Sequence, residues 1–88
     1  MDDLTSRLHL FREMKSSIRG SERFLLVGID IAKNKHHAFF GTPNGRTLWK
    51  NLVFDNSTKG FATLQALVRD IQYQHGLSEV VYGLEPTA

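Results

Sequence analysis

The sequence contains no cysteine, and this absence excludes disulfide bonds, thiolate nucleophiles and cysteine-type zinc sites. It also lacks any apolar run that approaches the roughly 20 residues needed for a membrane-spanning helix. Asp2 and Asp3 stand where a signal peptide would carry basic residues. We therefore expect a cytoplasmic protein with no membrane partner.

A strong charge of either sign is absent as well. The 11 Lys and Arg residues nearly balance the 9 Asp and Glu residues, which leaves a net charge of +2. Such a small excess does not by itself predict a polyanionic partner. With 88 residues, 41% of them hydrophobic, the chain fits one small globular domain with a thin core.

The hydrophobic pattern predicts a helix, a three-stranded antiparallel meander, a second helix and a fourth strand. Residues 1–23 hold an amphipathic helix from about Asp3 to Ile18, whose basic side chains either touch nucleic-acid phosphates or lie on a helix docked on protein. The strands are predicted at Phe24–Ile31, His36–Gly41, Thr47–Asp55 and Glu79–Leu84, and the second helix between the Asn56-Ser57-Thr58 cap and His75-Gly76. Because a helix joins the third and fourth strands, the fourth is expected to run parallel to a strand of the same sheet.

Two carboxylates stand out against this pattern. Asp30 interrupts the apolar run from Phe24 to Ala32, and Glu85 closes a second run, VVYGLE. A buried acid costs several kcal/mol unless a partner or a metal takes its charge. An acid on each of two core strands favours divalent-metal chemistry on phosphodiesters, with Mg²⁺ or Mn²⁺ as the hard cation that suits oxygen ligands.

Three motifs in order, GIDIAK, FDNSTKGF and GLEPTA, resemble the N-terminal part of the DEDD transposases of bacterial insertion sequences, which are RuvC-like recombinases. The resemblance covers about residues 24 to 88 and implies a partial ribonuclease H-like α/β fold in which the first and fourth strands lie side by side. It makes Asp30 and Glu85 catalytic metal ligands, the first D and the E of the tetrad. It further implies DNA as substrate and, in a full-length parent, a structured bridge RNA that guides target choice.

The family's other two acids lie beyond the residues of this chain. We therefore expect residues 24–88 to be a truncated catalytic domain that holds Mg²⁺ or Mn²⁺ weakly and does not cleave DNA alone. Because later elements would cover its fourth strand, the chain is expected to expose a strand edge and to form a homo-oligomer.

Each of these residues also has a simpler interpretation. Asp30 could cap the following turn or pair with a lysine, and Glu85 could be an exposed strand terminus. Lys33 and Lys35 are candidate nucleic-acid contacts, although a lysine after a strand is often only a solvated charge.

Two other functions stay open from the sequence alone. Sugar kinases and actin-like ATPases also carry an Asp on a first strand, but the segment Ile31-Ala32-Lys33-Asn34 contains no glycine to wrap a phosphate. A non-catalytic module that binds nucleic acid or protein is the third possibility.

Overall fold

A computed structural model of the chain describes residues 22–86. They form strands β1 (Phe24–Ile31), β2 (Lys35–Gly41) and β3 (Thr47–Asp55), helix α1 (Thr58–His75) and strand β4 (Glu79–Pro86). The helix predicted from Asp3 to Ile18 and the assignment of residues 1–23 to it lie outside the described residues, apart from Glu22 and Arg23.

The four described strands form one mixed sheet in the order β3-β2-β1-β4. Strand β1 pairs antiparallel with β2 and parallel with β4, and β2 pairs antiparallel with β3. This arrangement confirms the predicted α/β class, with a three-stranded meander followed by a helix and a parallel strand. The helical crossover permits the parallel pairing, because a tight turn can join only antiparallel neighbours.

The hydrophobic core lies between one face of the sheet and α1. Alternate residues of β1 point to this face, and Leu25, Val27 and Ile29 are all buried there. The remaining core members come from the neighbouring strands, the helix and the segment after it: Ala38, Phe40, Phe54, Leu64, Val68, Ile71 and Leu77. Burial of each large side chain contributes about 1.5–3 kcal/mol, so this core stabilises the docking of the helix on the sheet.

Local hydrogen bonds define the β2–β3 hairpin. The Gly45 N–H donates to the Thr42 carbonyl at 3.0 Å, and the Thr42 N–H donates to the Arg46 carbonyl at 2.9 Å. Gly45 has φ 89°, a conformation that an L side chain rarely adopts. These hydrogen bonds and the positive φ of Gly45 form a tight connection between β2 and β3.

Both ends of α1 carry the predicted caps. Ser57 is extended (φ −147°, ψ 163°), and its Oγ accepts a hydrogen bond from the Gly60 N–H at 3.0 Å. Gly76 ends the helix in the left-handed conformation, with φ 64° and its N–H donated to the Gln72 carbonyl.

Two strand bounds differ from the prediction. Strand β2 begins at Lys35, one residue earlier than predicted, and β4 continues to Pro86, two residues past Leu84. The extension places Glu85 within the strand, because the ladder continues until Pro86 pairs with Ile31. Proline is tolerated there because β4 lies at an edge of the described sheet.

None of the helices in the part of the chain that the structure describes has the length and apolar character needed to cross a membrane.

Candidate metal and nucleic-acid site

Asp30 and Glu85 lie side by side on adjacent strands. They are direct partners in the parallel ladder between β1 and β4, and neighbouring strands are spaced about 4.8 Å apart. Because paired residues project from the same side of a sheet, both side chains lie on the face opposite α1. Both residues are partly exposed. The predicted convergence of the two strands is therefore confirmed at the level of register.

A row of four residues crosses the sheet at this level. Asp30 pairs with His37 on β2, and His37 in turn pairs with Val53 on β3. We call the sheet face that carries Val53, His37, Asp30 and Glu85 the acid face. His36 and His37 point to opposite faces of the sheet, and His37 is the one that lies beside the acids.

His37 also contacts a polar side chain from the far strand. Its Nδ1 lies 3.3 Å from Asn51 Oδ1. An amide oxygen can only accept, so this contact requires the proton on Nδ1. Sequence analysis did not identify Asn51, because it precedes the FDNSTKGF motif on β3 and belongs to no motif itself.

Below the acid row, the acid face is closely packed at a glycine. A Cβ built on Gly28 would overlap the ring of Phe39, its partner on β2. Phe39 is buried, and its ring occupies the space that any side chain at Gly28 would fill. Gly28 therefore permits the close approach of an aromatic side chain from the neighbouring strand.

His36 holds the segment that follows Asp30. It is only 3% exposed, and its Nδ1 accepts a hydrogen bond from the Ala32 N–H at 3.2 Å. Its ring contacts Phe54 and Phe61 at centroid distances of 5.2 Å and 5.8 Å. His36 is thus a structural acceptor within an aromatic cluster, on the side of the sheet away from the acids.

A second set of contacts joins this segment to the start of α1. The Asn56 N–H donates to the Asn34 carbonyl at 3.1 Å, which links the β1–β2 and β3–α1 connections. Asp55 Oδ1 accepts from Ser57 Oγ at 2.6 Å. A Cβ on Gly60 would overlap the Asp55 carbonyl oxygen, so only glycine fits there. The FDNSTKGF motif therefore builds a close strand-to-helix turn at the same end of the sheet as the acids.

The predicted nucleic-acid contacts Lys33 and Lys35 are both exposed at this end. Lys33 lies in the bend between β1 and β2, and Lys35 begins β2 on the acid face, two residues from His37. Lys35 pairs across the ladder with Asp55, so a carboxylate is its nearest strand neighbour. Lys33 has no such partner in a ladder, which makes it the better placed of the two for an external phosphate.

Two surface concavities lie at the other end of the sheet. One of about 430 Å³ is lined by residues around the C-terminal end of α1, including Arg69, Tyr73 and Gly76. The other, of about 210 Å³, includes Glu22, Asn44 and Arg46. Neither contains Asp30 or Glu85. Among the described residues, the lining of the larger concavity includes no acid, and that of the smaller one includes a single carboxylate, Glu22.

The donor atoms at the acid pair suit a hard divalent cation. Two adjacent carboxylates repel each other by about 1 kcal/mol in water at 4 Å and by about 4 kcal/mol at an effective dielectric of 20, and a cation removes that repulsion. Within residues 22–86, no group of three or more His, Asp or Glu side chains has a metal-binding arrangement.

Comparison with the models of known protein families, with curated proteins and with solved structures finds no match to this chain.

Proposed function

We propose that this chain is the N-terminal piece of a DNA transposase of the RuvC-like, DEDD type, whose acids hold a divalent metal for strand cleavage and transfer. The observation that carries the proposal is the direct pairing of Asp30 with Glu85 on parallel strands. The strand order and the helical crossover agree with the opening elements of a ribonuclease H-like domain.

The two acids would be ligands of Mg²⁺ or Mn²⁺. When bound, such a metal activates a nucleophile and stabilises the leaving oxygen of an in-line displacement. The chain itself contributes the carboxylates and fixes their separation through eight consecutive paired positions between β1 and β4. In the full-length parent, DNA is the substrate and a bridge RNA is the proposed guide.

The isolated chain is proposed to bind metal weakly and to be inactive. Two carboxylates leave most positions of an octahedral shell to water, so neither the affinity nor the geometry for cleavage is complete. This proposal separates metal binding, which the chain can show, from catalysis, which requires the parent.

Metal binding can be tested by titration of the 88-residue chain with Mn²⁺, followed by amide NMR. We expect paramagnetic broadening around Asp30 and Glu85, and its loss in Asp30→Asn and in Glu85→Gln. The control is Asp70→Asn, which removes an exposed acid in the second half of α1. Broadening that is uniform, or unchanged by Asp30→Asn, would contradict the proposal, and shifts caused by ATP in place of Mn²⁺ would favour a kinase-like or actin-like ATPase.

Catalysis is tested in an intact parent. Asp30→Asn should lower the rate of strand transfer by a factor of at least about 10³, since the variant loses a charged metal ligand. Its circular dichroism spectrum should stay unchanged. Normal transposition by that variant would remove Asp30 from the reaction.

A further inference from the structure

We infer that Lys59 joins Lys33 and Lys35 in a basic rim that contacts the phosphodiester backbone of DNA beside the acid pair. This inference rests on the proposed function and extends it by a residue outside both acid motifs. The rim is defined as these three lysines, which lie in the β1–β2 connection, at the start of β2 and in the first turn of α1.

The topology brings the three lysines to one end of the sheet. Strands β1, β3 and β4 all run toward that end, and α1 starts there. The Asn56–Asn34 hydrogen bond of 3.1 Å joins the connection that contains Lys33 to the one that precedes Lys59. The rim thus extends from the acid face, over the end of the sheet, to the helix side.

The local charges are consistent with a phosphate partner once a metal neutralises the acid pair. All three lysines are exposed, and the first turn of α1 contains no acidic residue. Asp55 lies at the same end of the sheet, where its Oδ1 accepts a hydrogen bond from Ser57 Oγ and where it is the ladder partner of Lys35. The exposed acids Glu22 and Glu79 lie at the opposite end, before β1 and at the start of β4.

This arrangement predicts unequal contributions. Lys59 and Lys33 are expected to contact phosphates directly, whereas Lys35 contributes less because Asp55 lies opposite it. The slope of log K against log salt concentration is about −0.9 for each phosphate contact. Removal of one full contact should therefore reduce the magnitude of that slope by about 0.9.

The test measures binding of a fluorescein-labelled 20-base-pair DNA duplex by anisotropy from 25 to 200 mM NaCl, with 5 mM Mg²⁺. The wild-type chain is compared with Lys59→Ala, Lys33→Ala and Lys59→Arg. The matched control is Lys50→Ala, an exposed lysine on β3 about 16 Å from the rim end of that strand. Circular dichroism confirms that each variant is folded.

We expect Lys59→Ala to weaken binding at least about threefold and to lower the salt slope by about 0.9, while Lys59→Arg and Lys50→Ala keep wild-type values. The inference is overturned if Lys59→Ala behaves like Lys50→Ala, if Lys59→Arg fails as Lys59→Ala does, or if the wild-type chain does not bind the duplex. These failures are distinct from failure of the proposed function, which is read from Mn²⁺ broadening at Asp30 and Glu85.

Discussion

Asp30 and Glu85 occupy directly paired positions on β1 and β4, although 55 residues separate them along the chain. Parallel pairing puts both carboxylates on the same face of the sheet. A helical crossover is needed to create this proximity, so the relationship depends on α1 being docked on the sheet.

The paired acids predict a gain in stability when one charge is removed. In metal-free buffer, Glu85→Gln should raise the free energy of unfolding by up to about 1 kcal/mol, because it removes repulsion between partly exposed like charges. Urea denaturation with EDTA measures the change. Glu79→Gln on the same strand is the control, since its ladder partner is Phe24. If Glu85→Gln is no more stable than Glu79→Gln, the two acids do not repel each other. Added Mn²⁺ should raise the free energy of unfolding of the wild-type chain more than that of Glu85→Gln.

The contact between Gly28 and the Phe39 ring predicts that no side chain larger than that of glycine fits at position 28 without a loss of stability. Gly28→Ala should cost about 1–3 kcal/mol, because the added methyl group overlaps a buried ring that must move. Chemical denaturation of Gly28→Ala, Phe39→Leu and the double variant forms a double-mutant cycle. A coupling energy near zero would show that the ring does not limit residue 28.

The order of elements could be predicted from the sequence, because apolar spacing and cap residues are local signals. The bounds of β1 and β3 and both caps of α1 agree with the prediction. The strand bounds predicted for β4 ended one residue before Glu85, because the extension depends on the pairing of Glu85 and Pro86 with Asp30 and Ile31 on another strand.

The environment of the acids was less predictable than the acids themselves. Asn51 reaches the acid face through its contact with His37, which is a relation between strands that no local pattern encodes. The role of His36 likewise depends on Phe54 and Phe61, which come from β3 and α1. Side-chain partners across strands follow from register, and the bulges between β2 and β3 alter that register.

Gly60 is expected to be intolerant of substitution despite its helical position. Alanine normally favours a helix over glycine by about 1 kcal/mol, but here its Cβ would overlap the Asp55 carbonyl oxygen, and backbone cannot move cheaply. We expect Gly60→Ala to lose about 2–3 kcal/mol in urea denaturation. Gly76→Ala is the comparison, since it meets no atoms within 4 Å and should lose only about 1–2 kcal/mol through its positive φ. If Gly60→Ala is stabilised, the close turn between β3 and α1 is not formed.

The hydrogen bond from the Ala32 N–H to His36 predicts that substitution of His36 destabilises the segment after Asp30. His36→Phe keeps an aromatic ring but removes the acceptor for the Ala32 N–H, which should cost about 1–3 kcal/mol and accelerate hydrogen exchange at Ala32. His37→Phe should change stability by less than about 0.5 kcal/mol, because its side-chain contact with Asn51 is exposed. Equal effects of the two variants would contradict the assigned roles.

The edge of the sheet at β4 predicts self-association. Tyr82 and Leu84 pair with Val27 and Ile29, so they lie on the α1 side, yet they are 43% and 62% exposed. An exposed strand edge with apolar side chains favours pairing with a second copy of the chain. We expect the wild-type chain to form a homodimer in sedimentation velocity at micromolar concentrations.

Leu84→Lys tests whether that edge is the interface. Loss of one buried leucine, about 1.5–3 kcal/mol, should raise the dimer dissociation constant about 10-fold to 100-fold. Val53→Lys is the matched control, since Val53 is an exposed apolar residue on β3 at the opposite edge of the described sheet. Equal weakening of the dimer by both variants would assign self-association to general surface hydrophobicity. A wild-type chain that stays monomeric throughout the concentration range would refute the predicted dimer, because the β4 edge would then be insufficient to hold two chains together.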